Sequence, residues 1–186
     1  MKVLALMLVT ISALAPVVAS GPDLAREIAV TEEQGVYRVR ARFDVPQSPD
    51  VALAVLKDYE RIPRFMPDMR LSVVRERHGG HVVVEQEAHA KMMMFSRRVH
   101  LVLDIQEDGD ALRFTDLCGR SFSHYSGQWH VARVATGTTM SYDLMAKPAF
   151  PVPGFVLSRL LKRDATQMIE RLRQEIAGRP VTYEAR

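Results

Sequence analysis

The sequence predicts an α+β fold: a curved antiparallel sheet of about seven strands wrapped around one long C-terminal helix, with two short helices after the first strand. Three observations predict it. From residue 70 to 147 strand-like segments follow one another with only short turns between them, the pattern of antiparallel pairing. Residues 154–177 carry one apolar stripe at helical spacing. Between the first strand and the later ones, prolines at 49, 63 and 67 break the chain into short pieces.

The first strand is "GVYRVRARFDVP". Tyr37, Val39, Ala41 and Phe43 alternate with Arg38, Arg40 and Arg42, which marks a half-buried strand ended by Pro46. Ser48 then offers an N-cap with Pro49 in the first helical position. That helix should run to about Asp58, and "YERIPRFM" should form a second helical turn. The strands that follow are "LSVVRER", closed by His78-Gly79-Gly80, then "HVVVEQEAHA" and "FSRRVHLVLDIQE", closed by "DGD". "ALRFTDLCG", "SHYSGQWHVARV" and "TTMSYDLMAK" complete the sheet, and Pro148, Pro151 and Pro153 end it. In the last helix Leu157, Leu161, Met168, Leu172 and Ile176 form the stripe, and Gly178 and Pro180 stop it. A single-layer sheet needs its apolar face covered, and only this helix is long enough to do so.

The ends and the composition bound the setting. "MKVLALMLVTISALAPVVAS" has a lysine, a short apolar run and small residues, the plan of a cleaved secretory signal peptide. It is too short for a comfortable membrane span. The expected division is 1–20 signal peptide, 21–35 N-terminal segment, 36–178 domain and 179–186 tail. The mature protein should be periplasmic or secreted. Cys118 is the only cysteine, so an internal disulfide and a cysteine-based zinc site are excluded. A net charge of +3 is too small to argue for nucleic acid. No phosphate loop, nucleophile elbow or HExxH motif is present, and no cofactor is implied.

The order of elements resembles the helix-grip fold of the START-like superfamily, which includes polyketide cyclases and coenzyme-Q-binding proteins. Three stretches carry the resemblance: "VPQSPDVALAVLKDYERIPRFMPDM" is similar to the family's opening, "FSHYSGQWHV" to its late strand with Gly-x-Trp, and "YDLMAKPAFPVPGFV" to its final strand feeding the helix. The resemblance spans roughly residues 36–178 and implies a hydrophobic-ligand cavity between sheet and helix. It carries over no catalytic residue, because the family has no universal catalytic motif. Members bind or transform very different ligands, so fold alone does not give function.

Period-two alternation assigns the faces. Val84, Gln86 and Ala88 share the inward side of their strand; Arg97 and Val99 share that of the next, and Phe114 and Asp116 that of the third. Tyr125, Trp129, Met140, Tyr142 and Leu144 follow on the last two strands, and Leu161 faces them from the helix. His89 should point outward. The lining is apolar with sparse polar groups, as a small-molecule pocket requires. Each residue also has a plainer reading. Arg97 and Asp116 lie near strand ends, where they can pair or reach water, and Trp129 and Phe114 suit an ordinary core.

"HAKMMMFSRR" raises a separate question. Thioethers and imidazole bind copper(I), but consecutive residues on a turn point in different directions and do not converge on one ion. Met92, Met93 and Met94 fit better as a pliable apolar rim at the cavity mouth, able to touch a membrane surface, with plain hairpin packing as the alternative. The expected function is binding of a lipid, sterol-like compound or quinone without catalysis. The alternatives are a polyketide cyclase or aromatase using Asp116 with Tyr142 or Arg97, and an accessory protein without a ligand of its own.

Overall fold

The computed structural model describes residues 26–92 and 95–179. The expected signal peptide 1–20, Met93 and Met94, and residues 180–186 lie outside the described residues. In chain order the elements are β1 (Arg26–Glu33), β2 (Val36–Val45), α1 (Pro49–Lys57), a single 3-10 turn (Tyr59–Arg61), α2 (Ile62–Phe65), β3 (Met69–His78), β4 (His81–Met92), β5 (Phe95–Asp108), β6 (Ala111–Asp116), β7 (Phe122–Val134), β8 (Gly137–Pro148) and α3 (Gly154–Ala177).

The strands form one curved eight-stranded sheet in the order β1-β2-β8-β7-β6-β5-β4-β3, with every neighbouring pair antiparallel. This is one strand more than expected. β1 pairs with β2 through the turn Gln34-Gly35, whose φ values of 52° and 78° are both positive. That combination is the type I′ geometry that matches strand twist. β1 contributes only Ile28 and Val30 to the packing, a weak periodic signal among charged neighbours.

The short helices form where the prolines allow them. Ser48 is the N-cap of α1 in extended conformation, although its hydroxyl makes no capping bond, and Pro49 begins the helix. α1 buries Ala52 and Val55. α3 spans its predicted length, and Arg179 just beyond it binds Asp58 at 2.8 Å and Glu175 at 3.1 Å.

The inner sheet face and α3 share the core. Phe43, Val82, Val84 and Met140 are fully buried in one cluster with Ile169, Leu172 and Ile176 from the C-terminal half of α3. Leu161 and Met168 are only partly buried. Packing along the helix is therefore uneven. Gly127 on β7 permits a close approach: a Cβ there would lie 2.6 Å from the Phe114 ring and 2.3 Å from the Asp143 carbonyl oxygen. A glycine in a strand interior commonly marks such a contact.

Candidate functional site

A cavity of about 870 Å³ lies between the inner sheet face, α3 and the α1–α2 region. Sites for small hydrophobic ligands typically measure ~300–1,000 Å³. Leu101, Leu103 and Ile105 of β5, Leu112 of β6 and Leu144 of β8 supply much of its wall. Their alternation along each strand turns them to one side. Val55, Tyr59, Ile62, Phe65 and Met66 border it from the α1–α2 region, and Leu157, Leu160, Leu161 and Met168 from α3.

Among the expected site residues, Gln86, Ala88, Arg97, Val99, Phe114, Tyr125, Trp129, Tyr142, Leu144 and Leu161 all line this cavity. Val84, Met140 and Asp116 do not. Val84 and Met140 point the expected way but are fully buried in the core cluster that includes Ile169 and Ile176, so they fill rather than line. Asp116 is a different correction. Its Oδ1 accepts hydrogen bonds from the Val102 N–H (2.9 Å) and the Cys118 N–H (3.2 Å), and its Oδ2 accepts one from the Gly119 N–H (3.0 Å). The Cys118 thiol also donates to Oδ1 (3.2 Å). Alternation stops being informative where the strand ends, and there this carboxylate fastens the turn to β5. The backbone of His89 lies at the cavity border, where its main-chain N–H donates to the Asp68 carbonyl at 2.8 Å. Met92 pairs with Phe95 across β4 and β5, and Met93 and Met94 lie outside the described residues.

The polar groups divide by location. Arg97 is exposed, with its guanidinium 3.5 Å from the centre of the Phe150 ring, a cation–π contact at the cavity edge. Gln86 donates to the Ser72 hydroxyl at 3.2 Å. The Tyr59 hydroxyl donates to Glu107 Oε1 at 2.9 Å. Burial works against the Glu107 charge, yet the Tyr59 hydroxyl, Lys57 and Arg77 together hold its carboxyl below the ordinary range. On the inner wall burial pushes the Tyr125 phenol up to about 12 and Tyr142 well above its usual value, and the two phenols also act on each other. Their rings continue an aromatic cluster: Trp129 lies 4.5 Å from Tyr142, and Phe122 4.9 Å from Tyr125.

Sequence reasoning missed Phe150 and Val152, which reach the cavity from the proline-rich connector, and Asp164 on α3. Each left a signal. Phe150 and Val152 are apolar residues in a segment with no helix or strand period. Asp164 occupies the gap between Leu161 and Met168 in the apolar stripe. Burial raises the Asp164 carboxyl above its ordinary value; Arg163 opposes the shift and Asp68 adds to it.

A comparison with curated proteins found no match. Solved structures do match. A START superfamily protein from Mycobacterium smegmatis aligns with a TM-score of 0.64 at 14% identity, over 75% of this chain and 96% of that one. A STAR-related lipid transfer protein from Xanthomonas axonopodis aligns with a TM-score of 0.61 at 15% identity, over 80% and 98%. The Zhui aromatase/cyclase from a Streptomyces species, strain R1128, aligns with a TM-score of 0.62 at 14% identity, over 76% and 93%. At these identities the likeness is one of fold, a helix-grip fold. The model of the family described as polyketide cyclase / dehydrase and lipid transport matches residues 45–173, well over half of the chain, and the protein belongs to that family.

Proposed function

We propose that the protein is an exported binding module that holds a hydrophobic small molecule, a lipid, sterol-like compound or quinone, in the cavity between its sheet and α3. The observation that carries this reading is the cavity itself: a space of about 870 Å³ walled by aliphatic and aromatic side chains from strands β2 to β8, the α1–α2 region and α3. Burying apolar ligand surface there releases ~25 cal/mol per Å². Native mass spectrometry of protein purified from the periplasmic fraction, followed by lipid extraction, should reveal a bound apolar molecule. Protein that carries none, and that takes up no hydrophobic probe, would overturn the reading.

Export rests on residues 1–20. The periplasmic protein should begin at Ser20 or Gly21, and a full-length product confined to the cytoplasm would refute export. Met92, Met93 and Met94 are the proposed contact with a membrane surface, and replacing all three by Ser should weaken binding to lipid vesicles.

Binding without catalysis is favoured over a cyclase-type reaction by the position of Asp116. A general acid or base must reach the reacting group, and both oxygens of this carboxylate accept backbone hydrogen bonds. Ligand recovered after incubation should be chemically unchanged.

A further inference from the structure

The cavity has few interior polar groups, and most are already engaged. Tyr59 donates to Glu107, and Gln86 donates to Ser72. The charged groups that border the space are exposed or paired: Arg97 is exposed and stacked on Phe150, Arg163, Glu170 and Arg171 are exposed on α3, and the half-buried Asp164 is held by Arg163 at 2.9 Å. Tyr125 and Tyr142 differ from all of these. They line the inner wall on the adjacent central strands β7 and β8, and neither hydroxyl is hydrogen-bonded to any other polar group among the described residues.

Counting donors gives the consequence. Two phenols carry two O–H groups. A bond between them would use one at most, so at least one O–H and several lone pairs remain for a third partner. Among the described residues the arginine that borders the cavity from the sheet, Arg97, is exposed at its edge and stacked on Phe150. A carboxylate or phosphate placed there would be a buried anion without a counter-charge, which is strongly unfavourable. A neutral carbonyl or hydroxyl oxygen would accept the free O–H at little desolvation cost, while the flat faces of Trp129 and Phe114 pack the carbon skeleton beside it.

We infer that Tyr125 and Tyr142 form the anchoring subsite for the ligand's polar end, and that this end is an uncharged carbonyl or hydroxyl group. The ligand enters oxygen first, with its apolar remainder running along Leu101, Leu103 and Leu161 toward the mouth. This rests on the proposed binding function and narrows its ligand class to neutral oxygenated hydrophobes, setting aside free fatty acids and phospholipids held head-inward. Burial keeps both phenols protonated across the physiological range, so the donor persists at any pH the protein meets.

The test compares two probes of similar shape, 2-decyl-1,4-naphthoquinone and 2-decylnaphthalene. Trp129 is the sole tryptophan and lines the cavity, so its fluorescence reports occupancy directly. The parent protein should bind the quinone more tightly than the hydrocarbon. In Tyr125→Phe with Tyr142→Phe the ratio of the two affinities should fall about five- to tenfold, the effect of one net hydrogen bond. In the infrared, the lowered carbonyl stretch of the bound quinone should return toward its value in hydrocarbon solvent. A ratio and a carbonyl stretch that are the same in parent and double variant would overturn the inference while leaving the cavity function standing. If the parent binds neither probe, the binding function and the subsite fail together.

Discussion

Asp116 shows how one side chain can look like chemistry and serve as a fastener. Its carboxylate gathers three backbone N–H groups, one from β5 and two from the turn after β6. Asp116→Asn keeps one acceptor oxygen and replaces the other by an NH₂ that cannot receive the Gly119 N–H. Thermal or urea unfolding should show a loss of about 1–3 kcal/mol, with ligand affinity little changed. Asp164 responds in the opposite sense. Burial raises its carboxyl in the folded state, so its contribution is most favourable at low pH and is lost as pH rises through the folded value. Asp164→Asn carries no charge to desolvate. It should raise the melting temperature at neutral pH, and the gain should vanish below the ordinary carboxylate range; a gain that persists there would mean desolvation is not its cause. The two aspartates also mark what the sequence could tell at this scale. Alternation placed Ala88, Trp129 and Tyr142 on the cavity because they lie mid-strand. It failed at Asp116, at a strand end where the period no longer holds, and it could not separate lining from filling at Val84 and Met140, which depends on how closely α3 approaches.

At the scale of elements, α3 combines two environments on one stripe. Ile169 is fully buried against the sheet, whereas Leu161 borders the cavity. Ile169→Ala should cost about 2–5 kcal/mol, since it opens a void in packed surroundings. Leu161→Ala enlarges a space that already exists, so its cost should stay well below that of Ile169→Ala in the same denaturation series, and bulkier probes should bind better. Equal losses at the two positions would show that the helix packs uniformly. The sequence made α3 legible because its stripe recurs over 24 residues. β1 was not legible for the converse reason: an edge strand needs only one buried face, and Ile28 and Val30 among charged residues are too short a pattern to stand out. The Gln34-Gly35 turn adds little, since Asn-Gly and Asp-Gly are the stronger hairpin signals.

For the whole molecule, the balance between core and cavity sets what ligand binding should do. The outer sheet face is polar, with pairs such as Arg38–Asp143 and Arg75–Glu85 that contribute little individually. Stability must come from the inner face, yet part of that face borders the cavity instead of packed neighbours. An apolar ligand supplies the missing contacts only in the folded state, so binding and stability are linked. At a free ligand concentration of ~100 Kd the added stability is about 2.7 kcal/mol. For a chain of this size that corresponds to a rise of roughly 5–10 °C in melting temperature. Ala88→Trp separates this effect from ordinary packing. The indole should occupy cavity space next to Val99, its partner across β4 and β5, while overpacking itself costs about 1–3 kcal/mol. The variant should therefore melt lower than the parent without ligand, and saturating 2-decyl-1,4-naphthoquinone should leave its melting temperature where it is. A variant that gains as many degrees as the parent would place the ligand somewhere other than this cavity.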